Sequence, residues 1–303
     1  MNITKRRMEE MRGSIYSVLN TLSGWNIQTI DFIGNGVVNA VFLVNDNNLG
    51  KLAIRTPWNT ENSMDNQVSN EVISLKKEAE IAHHCYNYDI PVPKVHQLYL
   101  SEEINFLVSD FVSGDNAAIS SLEIGQLVSK IHNVPTENLN IIDQGNLPLT
   151  SIISRRTTER NLTLCKLINT RNILPDQMEL ESVLNLAEPV KSLLHLDVRP
   201  PNIIAEKGKI QAILDWDNAF IGHPIMELMR ICESKELDVG DFLKGYNNKS
   251  IMENTEEVIQ LIYRLDTALM LAILFVSIIK DTEKATYYIK RVEFLSTEIR
   301  NSL

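Results

Sequence analysis

The sequence predicts an α+β fold in two lobes, with strands collected in the first third and helices over most of the rest. Three observations predict it. A chain of 303 residues, 44% of them hydrophobic, is long enough for two cores at roughly 150 residues per domain. Short apolar runs bounded by Gly, Asn and Pro, the pattern of strands and turns, crowd between Trp25 and Val112. Apolar residues at helical spacing dominate from Ser121 onward, above all over 256–280 and 282–303. The expected boundary gives an N-terminal lobe over 1–112 and a C-terminal lobe over 113–303.

Ile3 to Leu22 reads as a polar, amphipathic helix ending near Gly24. Trp25 to Ile33 and Val37 to Val44 read as strands around Gly34-Asn35-Gly36. Glycine there permits positive φ and lets backbone amides approach an anion, although Asn-Gly serves any hairpin equally well. A dinucleotide fingerprint is disfavoured, because the third glycine is absent and a strand follows in place of a helix. Leu52 to Arg55 is a third strand, ending in a cation. The stretch 59–69, rich in Asn, Ser, Asp and Thr, is expected to be a mobile excursion. Asn70 to Tyr88 is a helix, with Val72, Leu75, Ala79 and Ala82 near helical spacing. Within it, adjacent His83, His84 and Cys85 point to different faces and do not share an ion.

Val95 to Leu100 and Asn105 to Val112 form a strand pair around Ser101-Glu102-Glu103. Ser121 to His132 is a helix with Ile124, Leu127, Val128 and Ile131 on one face. From 133 to 188 the pattern says least. Arg155, Arg156 and Arg160 there are expected to form one solvated helix face, with a phosphate or substrate contact as the alternative. Further on, Ile203 to Ala205 and Ile210 to Leu214 flank Glu206-Lys207-Gly208-Lys209, a hairpin signature. A hairpin brings its ends together, so Asn202 and Asp215 should lie side by side, with Asp197 on the preceding loop. Three converging oxygen-bearing side chains suit a hard cation such as Mg²⁺; solvated acids at the hairpin ends are the plainer alternative.

A formal net charge of -10 argues against a nucleic-acid partner, which wants a basic face, and is compatible with a cationic small substrate. Cys85, Cys165 and Cys232 are odd in number and widely spaced, so no disulfide framework is implied. The basic N-terminus lacks the apolar stretch of a secretion signal. The longest apolar run, Ala268 to Ile279, looks too short to span a bilayer. A cytoplasmic protein without a membrane partner is expected.

The spacing His195-x-Asp197-x-x-x-x-Asn202, followed by Asp215-Trp216-Asp217, resembles the catalytic and metal-binding loops of protein-kinase-like phosphotransferases. It is most similar to their aminoglycoside phosphotransferase branch, which is related to the choline kinases. The string Leu122 to His132 likewise resembles that family's first C-lobe helix. The resemblance implies a protein-kinase-like two-lobed fold: an N-lobe antiparallel sheet plus helix, a hinge, and a mostly helical C-lobe. It also implies Mg²⁺-dependent transfer of the γ-phosphoryl group of ATP or GTP to a hydroxyl of a small molecule.

Residue by residue, the resemblance implies that Gly34, Gly36 and Asn39 cover the nucleotide phosphates. Arg55 stands where kinases carry a lysine that pairs with phosphates and with a helix glutamate. Glu78 resembles that glutamate, favoured over Glu71 and Glu80 by its spacing to Pro91. The string Leu107 to Gly114 looks like the hinge, so Ser109, Asp110, Phe111 and Val112 would meet the purine. Ser109 replaces a bulkier gatekeeper, which keeps GTP in contention. Asp197 would orient the acceptor hydroxyl and take its proton, Arg199 would touch the transferring phosphate, and Asn202 and Asp215 would hold Mg²⁺.

His195 is expected to brace the loop and His132 to pack or cap. Leu196 replaces a frequent glycine, which suggests tighter local packing. Asp217 is read as supporting or solvated, with a second ion as the alternative. Glu227 stands near a usual aspartate and is read as structural. An antibiotic such as an aminoglycoside is the first expectation for the acceptor. Choline, homoserine or a sugar is the metabolic alternative. A catalytically weak nucleotide-binding regulator is a third reading, for which Arg55 is the best support.

Overall fold

The computed structural model describes residues 3–36, 39–58, 71–115, 117–171, 174–187, 189–248 and 250–303. The excursion expected over 59–69 lies outside the described residues, as do Val37, Val38 and the side chain of Glu71. Along the chain come α1 (Lys5–Thr21), β1 (Ile27–Asn35), β2 (Asn39–Asp46), β3 (Gly50–Pro57), α2 (Glu71–Tyr86), β4 (Val95–Tyr99) and β5 (Phe106–Asp110). Then follow α3 (Ser121–His132), α4 (Leu149–Ile168), α5 (Gln177–Leu184), β6 (Ser192–Leu194), β7 (Ile203–Glu206), β8 (Lys209–Ile213) and β9 (Phe220–Gly222). Helices α6 (Ile225–Ser234), α7 (Val239–Gly245), α8 (Ser250–Asn254), α9 (Glu257–Ile273) and α10 (Thr282–Ser302) complete it. The chain forms two compact units: Met1–Ala117 with Ile203–Asp217, and Ala118–Asn202 with Asn218–Leu303. The hairpin of the central motif therefore groups with the first unit, although it falls within 113–303.

The first unit is built on an antiparallel sheet of order β1-β2-β3-β5-β4. Its core follows from two periodicities. Met11, Ile15 and Leu19 repeat every four residues on α1, and Ala40, Phe42 and Val44 alternate along β2, so one helix face meets one sheet face. Thr4 caps α1 by accepting the Arg7 N–H, which satisfies one of the helix's unpaired amides. The β7–β8 hairpin turns at Lys207-Gly208, with φ of 53° and 72°, the two positive angles of a type I′ turn. It is tied down where Ile213 N–H donates to the Pro91 carbonyl at 2.8 Å and Lys207 N–H to the Asp115 carboxylate at 2.6 Å.

The second unit is helical, with β6 and β9 as a short antiparallel pair. Helices α3 and α7 approach closely because glycines face each other's backbone. A Cβ on Gly125 would lie 2.1 Å from the Phe242 carbonyl oxygen, and one on Gly245 1.9 Å from that of Leu122. Helix α9, continued by a π turn over Leu274–Ile278, packs against α4, α6 and α10. Among the described residues this segment, Glu257–Ile278, is long and apolar enough to cross a bilayer, and 56% of its 18-residue apolar stretch is buried. Three packed neighbours explain its composition, since a helix surrounded by others is apolar on most sides.

Candidate active site

In the first unit the polar chemistry gathers on Arg55. Strand alternation sends Leu52 and Ile54 into the core and Arg55 to the opposite face. There the guanidinium donates to Glu78 on α2, to Asp215 at 2.9 Å and to Asp217 at 3.3 Å. Asp217 also accepts from Ser74, and buried Lys77 donates to the Asp217 carbonyl at 2.8 Å. Asp217 is thus a tethered partner of α2 and β3. Among the described residues three carboxylates face two cations, leaving surplus negative charge. Burial, with Asp217 and Asp215 adding, pushes Glu78 up to about 7 against the pull of Arg55. Burial alone would lower Arg55, but the surrounding carboxylates carry it above its ordinary value. Glu80, the competing acid on α2, is exposed. Asp215 is the most open of the three carboxylates, its side chain 35% exposed, and holds a left-handed φ of 71°.

The glycine-bearing turn closes with Gly36 N–H donating to the Asn39 carbonyl at 2.8 Å. Trp58 and Asn35 side chains donate to the Gly36 carbonyl at 3.1 and 3.0 Å. Neither Gly34 nor Gly36 adopts the positive φ that their residue type permits. The space beside both is open: among the described residues a Cβ would meet nothing within 4 Å at Gly34 and its nearest atom at 3.9 Å at Gly36. Asn39 is buried at the start of β2. In β5, Ser109 stands opposite Ala53 and Val95. Asp110 uses its N–H on the Lys94 carbonyl at 2.9 Å, and its carboxylate meets His96 at 2.6 Å. Phe111 N–H donates to the Lys51 carbonyl at 3.1 Å. Of these three consecutive amides, that of Val112 alone makes no hydrogen bond among the described residues.

In the second unit the loop after β6 is held from behind by Glu227, in the first turn of α6. Its carboxylate accepts the His195 N–H at 2.9 Å and the Leu196 N–H at 2.6 Å. It also meets His132 at 3.0 Å, whose other ring nitrogen reaches the Tyr246 hydroxyl at 2.8 Å. Burial would raise Glu227, but these hydrogen bonds and the two histidines hold it below the usual carboxylate range. Clamped this way, Leu196 sits buried at φ 60°, where a non-glycine residue is strained by roughly 1–3 kcal/mol. The chain then turns outward at Asp197, whose N–H donates to His195 Nδ1 at 3.2 Å.

Asn202 Nδ2 donates to the Asp197 carbonyl at 2.9 Å and to its carboxylate at 2.8 Å. Arg199 reaches the same carboxylate at 3.3 Å with its side chain 40% exposed. Asp197, Arg199 and Asn202 therefore share one small network. His195 is fully buried. The sequence singled out Glu227 and His132 separately; that they brace one loop together is a finding of the structure.

Arg156 and Arg160 are not the solvated face expected of them. Both are buried, and both bind Asp266 of α9, at 2.7 and 2.8 Å. An acid more than 100 residues distant in sequence leaves no local trace beside the arginines, so helical spacing alone could not reveal the pairing.

The sequence pattern of the family described as phosphotransferase enzyme family (APH) matches residues 29–258. No curated protein sequence matches the chain. Among solved structures, a GDP complex of aminoglycoside 2′-phosphotransferase-IIIa is 13% identical, with a TM-score of 0.60 over 95% of this chain and 98% of that one. Aminoglycoside phosphotransferase APH(4)-Ia, with AMP-PNP and hygromycin B, is 13% identical at a TM-score of 0.62, covering 94% of this chain and 98% of that one. A gentamicin complex of APH(2″)-IIa is 13% identical at a TM-score of 0.62, over 96% of each chain. At such identities the likeness is one of fold, the kinase-like α+β architecture of an antiparallel sheet followed by helices.

Proposed function

Because the chain belongs to the phosphotransferase enzyme family, we propose that it transfers the γ-phosphoryl group of ATP or GTP, with Mg²⁺, to a hydroxyl of a small molecule. The observation that carries this reading is the Asp197 network. A carboxylate held by Asn202 and Arg199, on a loop fixed by Glu227, is oriented to aim at an incoming hydroxyl and take its proton. Arg199, on the same carboxylate, would stabilise charge on the transferring phosphate.

The donor set fits a hard divalent cation. Asn202 spends its amide nitrogen on Asp197, which leaves its side-chain oxygen as a ligand, and Asp215 is the open carboxylate of a cluster with surplus negative charge. Among the described residues no group of three His, Cys, Asp or Glu side chains stands ready to hold a metal. Mg²⁺ held by Asn202 and Asp215 would neutralise charge on the phosphoryl oxygens. Arg55 keeps Glu78 and would turn its second nitrogen from the aspartates to phosphate, with Gly34, Gly36 and Asn39 over the phosphates. The purine would meet the Val112 amide beside Ser109, Asp110 and Phe111. The fold neighbours are solved with GDP and with AMP-PNP, so both purines remain in the reading. The hygromycin B and gentamicin in two of these complexes support an antibiotic acceptor only through shared fold.

The test is phosphoryl transfer from ATP and GTP to a panel of aminoglycosides, choline, homoserine and sugars, beside Mg²⁺ titrations of nucleotide binding. Wild type should transfer to at least one alcohol, and Asp215→Ala should lose Mg²⁺-dependent nucleotide binding with its fold intact. An unchanged Mg²⁺ titration in Asp215→Ala removes the metal assignment.

A further inference from the structure

One buried cation in the second unit is used by nothing so far described. Arg156 and Arg160, one turn apart on α4, saturate Asp266: Arg156 donates at 3.1 and 2.7 Å and Arg160 at 2.8 Å. Arg230 of α6 is the third guanidinium of this junction and is 6% exposed. Its Nη2 rests on the sulfur of Met270 at 3.2 Å, a weak acceptor. Its Nη1, buried, has no hydrogen-bond partner among the described residues. Burial, reinforced by Arg156 and Arg160, brings Arg230 down to about 10 against the pull of Asp197 and Asp266. Three arginines thus share one fully engaged aspartate, and the third is left with an unmet donor. Such an arrangement destabilises a fold unless an anion completes it.

The position of Arg230 says where that anion would come from. Glu227, three residues earlier on α6, holds the amides of His195 and Leu196. Residues three apart share a helix face, so Arg230 lies on the face of α6 that carries the loop of Asp197. Asp197 is also the carboxylate that acts on it most strongly. We propose that Arg230 anchors an anionic group, carboxylate or phosphate, on the acceptor molecule whose hydroxyl faces Asp197. This rests on the phosphotransferase reading and narrows its acceptor to a small hydroxy acid or phosphorylated alcohol. An aminoglycoside would instead bring like charge toward Arg230. The transfer itself is unchanged. The γ-phosphorus leaves the nucleoside diphosphate, bonds to the acceptor oxygen, and the hydroxyl proton passes to Asp197.

The experiment uses four three-carbon alcohols of matched size: glycerate, glycerol 3-phosphate, glycerol and 3-amino-1,2-propanediol. With ATP or GTP and Mg²⁺, at least one anionic alcohol should exceed the neutral and cationic ones by about 10- to 100-fold in kcat/KM, the worth of a charge-assisted hydrogen bond. Which anion leads separates a carboxylate from a phosphate acceptor. Arg230→Met should erase the preference while the Tm of the free protein holds or rises, because an unmet buried charge is gone. Arg230→Lys should keep part of it. Equal rates on all four alcohols, a preference that survives Arg230→Met, or a fall in Tm with equal losses on every alcohol each overturn the inference. Failure of wild type to phosphorylate any alcohol overturns the phosphotransferase reading and this inference together; transfer that ignores the anion overturns the inference alone.

Discussion

Asp197 is positioned by neighbours rather than by depth: Asn202 and Arg199 hold a carboxylate whose side chain is still 20% exposed. Asp197→Asn should therefore leave nucleotide affinity near wild type and lower kcat by about 10²–10⁴, the usual worth of general-base help. Quenched assays of phosphorylated product test it, and near-normal turnover would remove Asp197 from the mechanism. Arg199 should follow its charge. Arg199→Lys should keep much of the activity and Arg199→Ala lose about 10²-fold, as when one preorganised donor is removed. If it only forms an exposed ion pair, contributing about 0–1 kcal/mol, Arg199→Ala turns over normally. Glu227 differs from both because it touches no proposed substrate. Glu227→Ala strands two amides and a histidine, at about 1–3 kcal/mol for each unmet group. A melting temperature unmoved by Glu227→Ala would contradict its role as the brace of the loop.

Among the elements, the crossing of α3 and α7 makes the sharpest demand. Gly125→Ala must push Phe242 aside and should lower stability by about 1–3 kcal/mol, read from denaturant melts. What the sequence disclosed divides along the same line as the range of the interactions. The β7–β8 hairpin, the single apolar face of α3 and the strand that carries Arg55 were legible because their causes are local: a period, a turn pair, an alternation; that strand runs on to Pro57 instead of ending at the cation. Glu78 was preferred among three acids on its spacing to Pro91; the structure pairs Glu78 with Arg55, while the side chain of Glu71 lies outside the described residues. The fate of Arg156 and Arg160 was not legible, since the same helix surface reads as solvated until Asp266 is brought to it. Nor was the conformation of Gly34 and Gly36, because glycine permits positive φ without requiring it.

For the whole molecule the two buried charge clusters give opposite responses to acid. Asp266 is held far below its ordinary value by Arg156 and Arg160 despite burial. Its contribution to stability is present above the unfolded pKa of about 3.9 and is lost as pH falls further. Glu78, raised to about 7, has the reverse sign. Between about 4.3 and that value the folded state binds the extra proton, so stability declines as pH rises through the window. Melts of nucleotide-free protein from pH 5 to 8 should slope downward, and Glu78→Gln should flatten the slope while Asp266→Asn alters only the acid limb. ATP or GTP with Mg²⁺ should raise the melting temperature by mass action.

The grouping of Ile203–Asp217 with the first unit has a consequence for how the chain is made. Arg55 precedes Asp215 by 160 residues and Lys77 precedes Asp217 by 140. At about 5–20 residues per second, a ribosome delivers the anions some tens of seconds or less after the cations. A nascent chain arrested before residue 203 can pair its five strands over α1, yet among the described residues Arg55 then keeps Glu78 without the two aspartates, and Lys77 lacks the Asp217 carbonyl. The cluster is closed by nearly the last residues to reach that unit, after the whole loop of Asp197 has already left the ribosome.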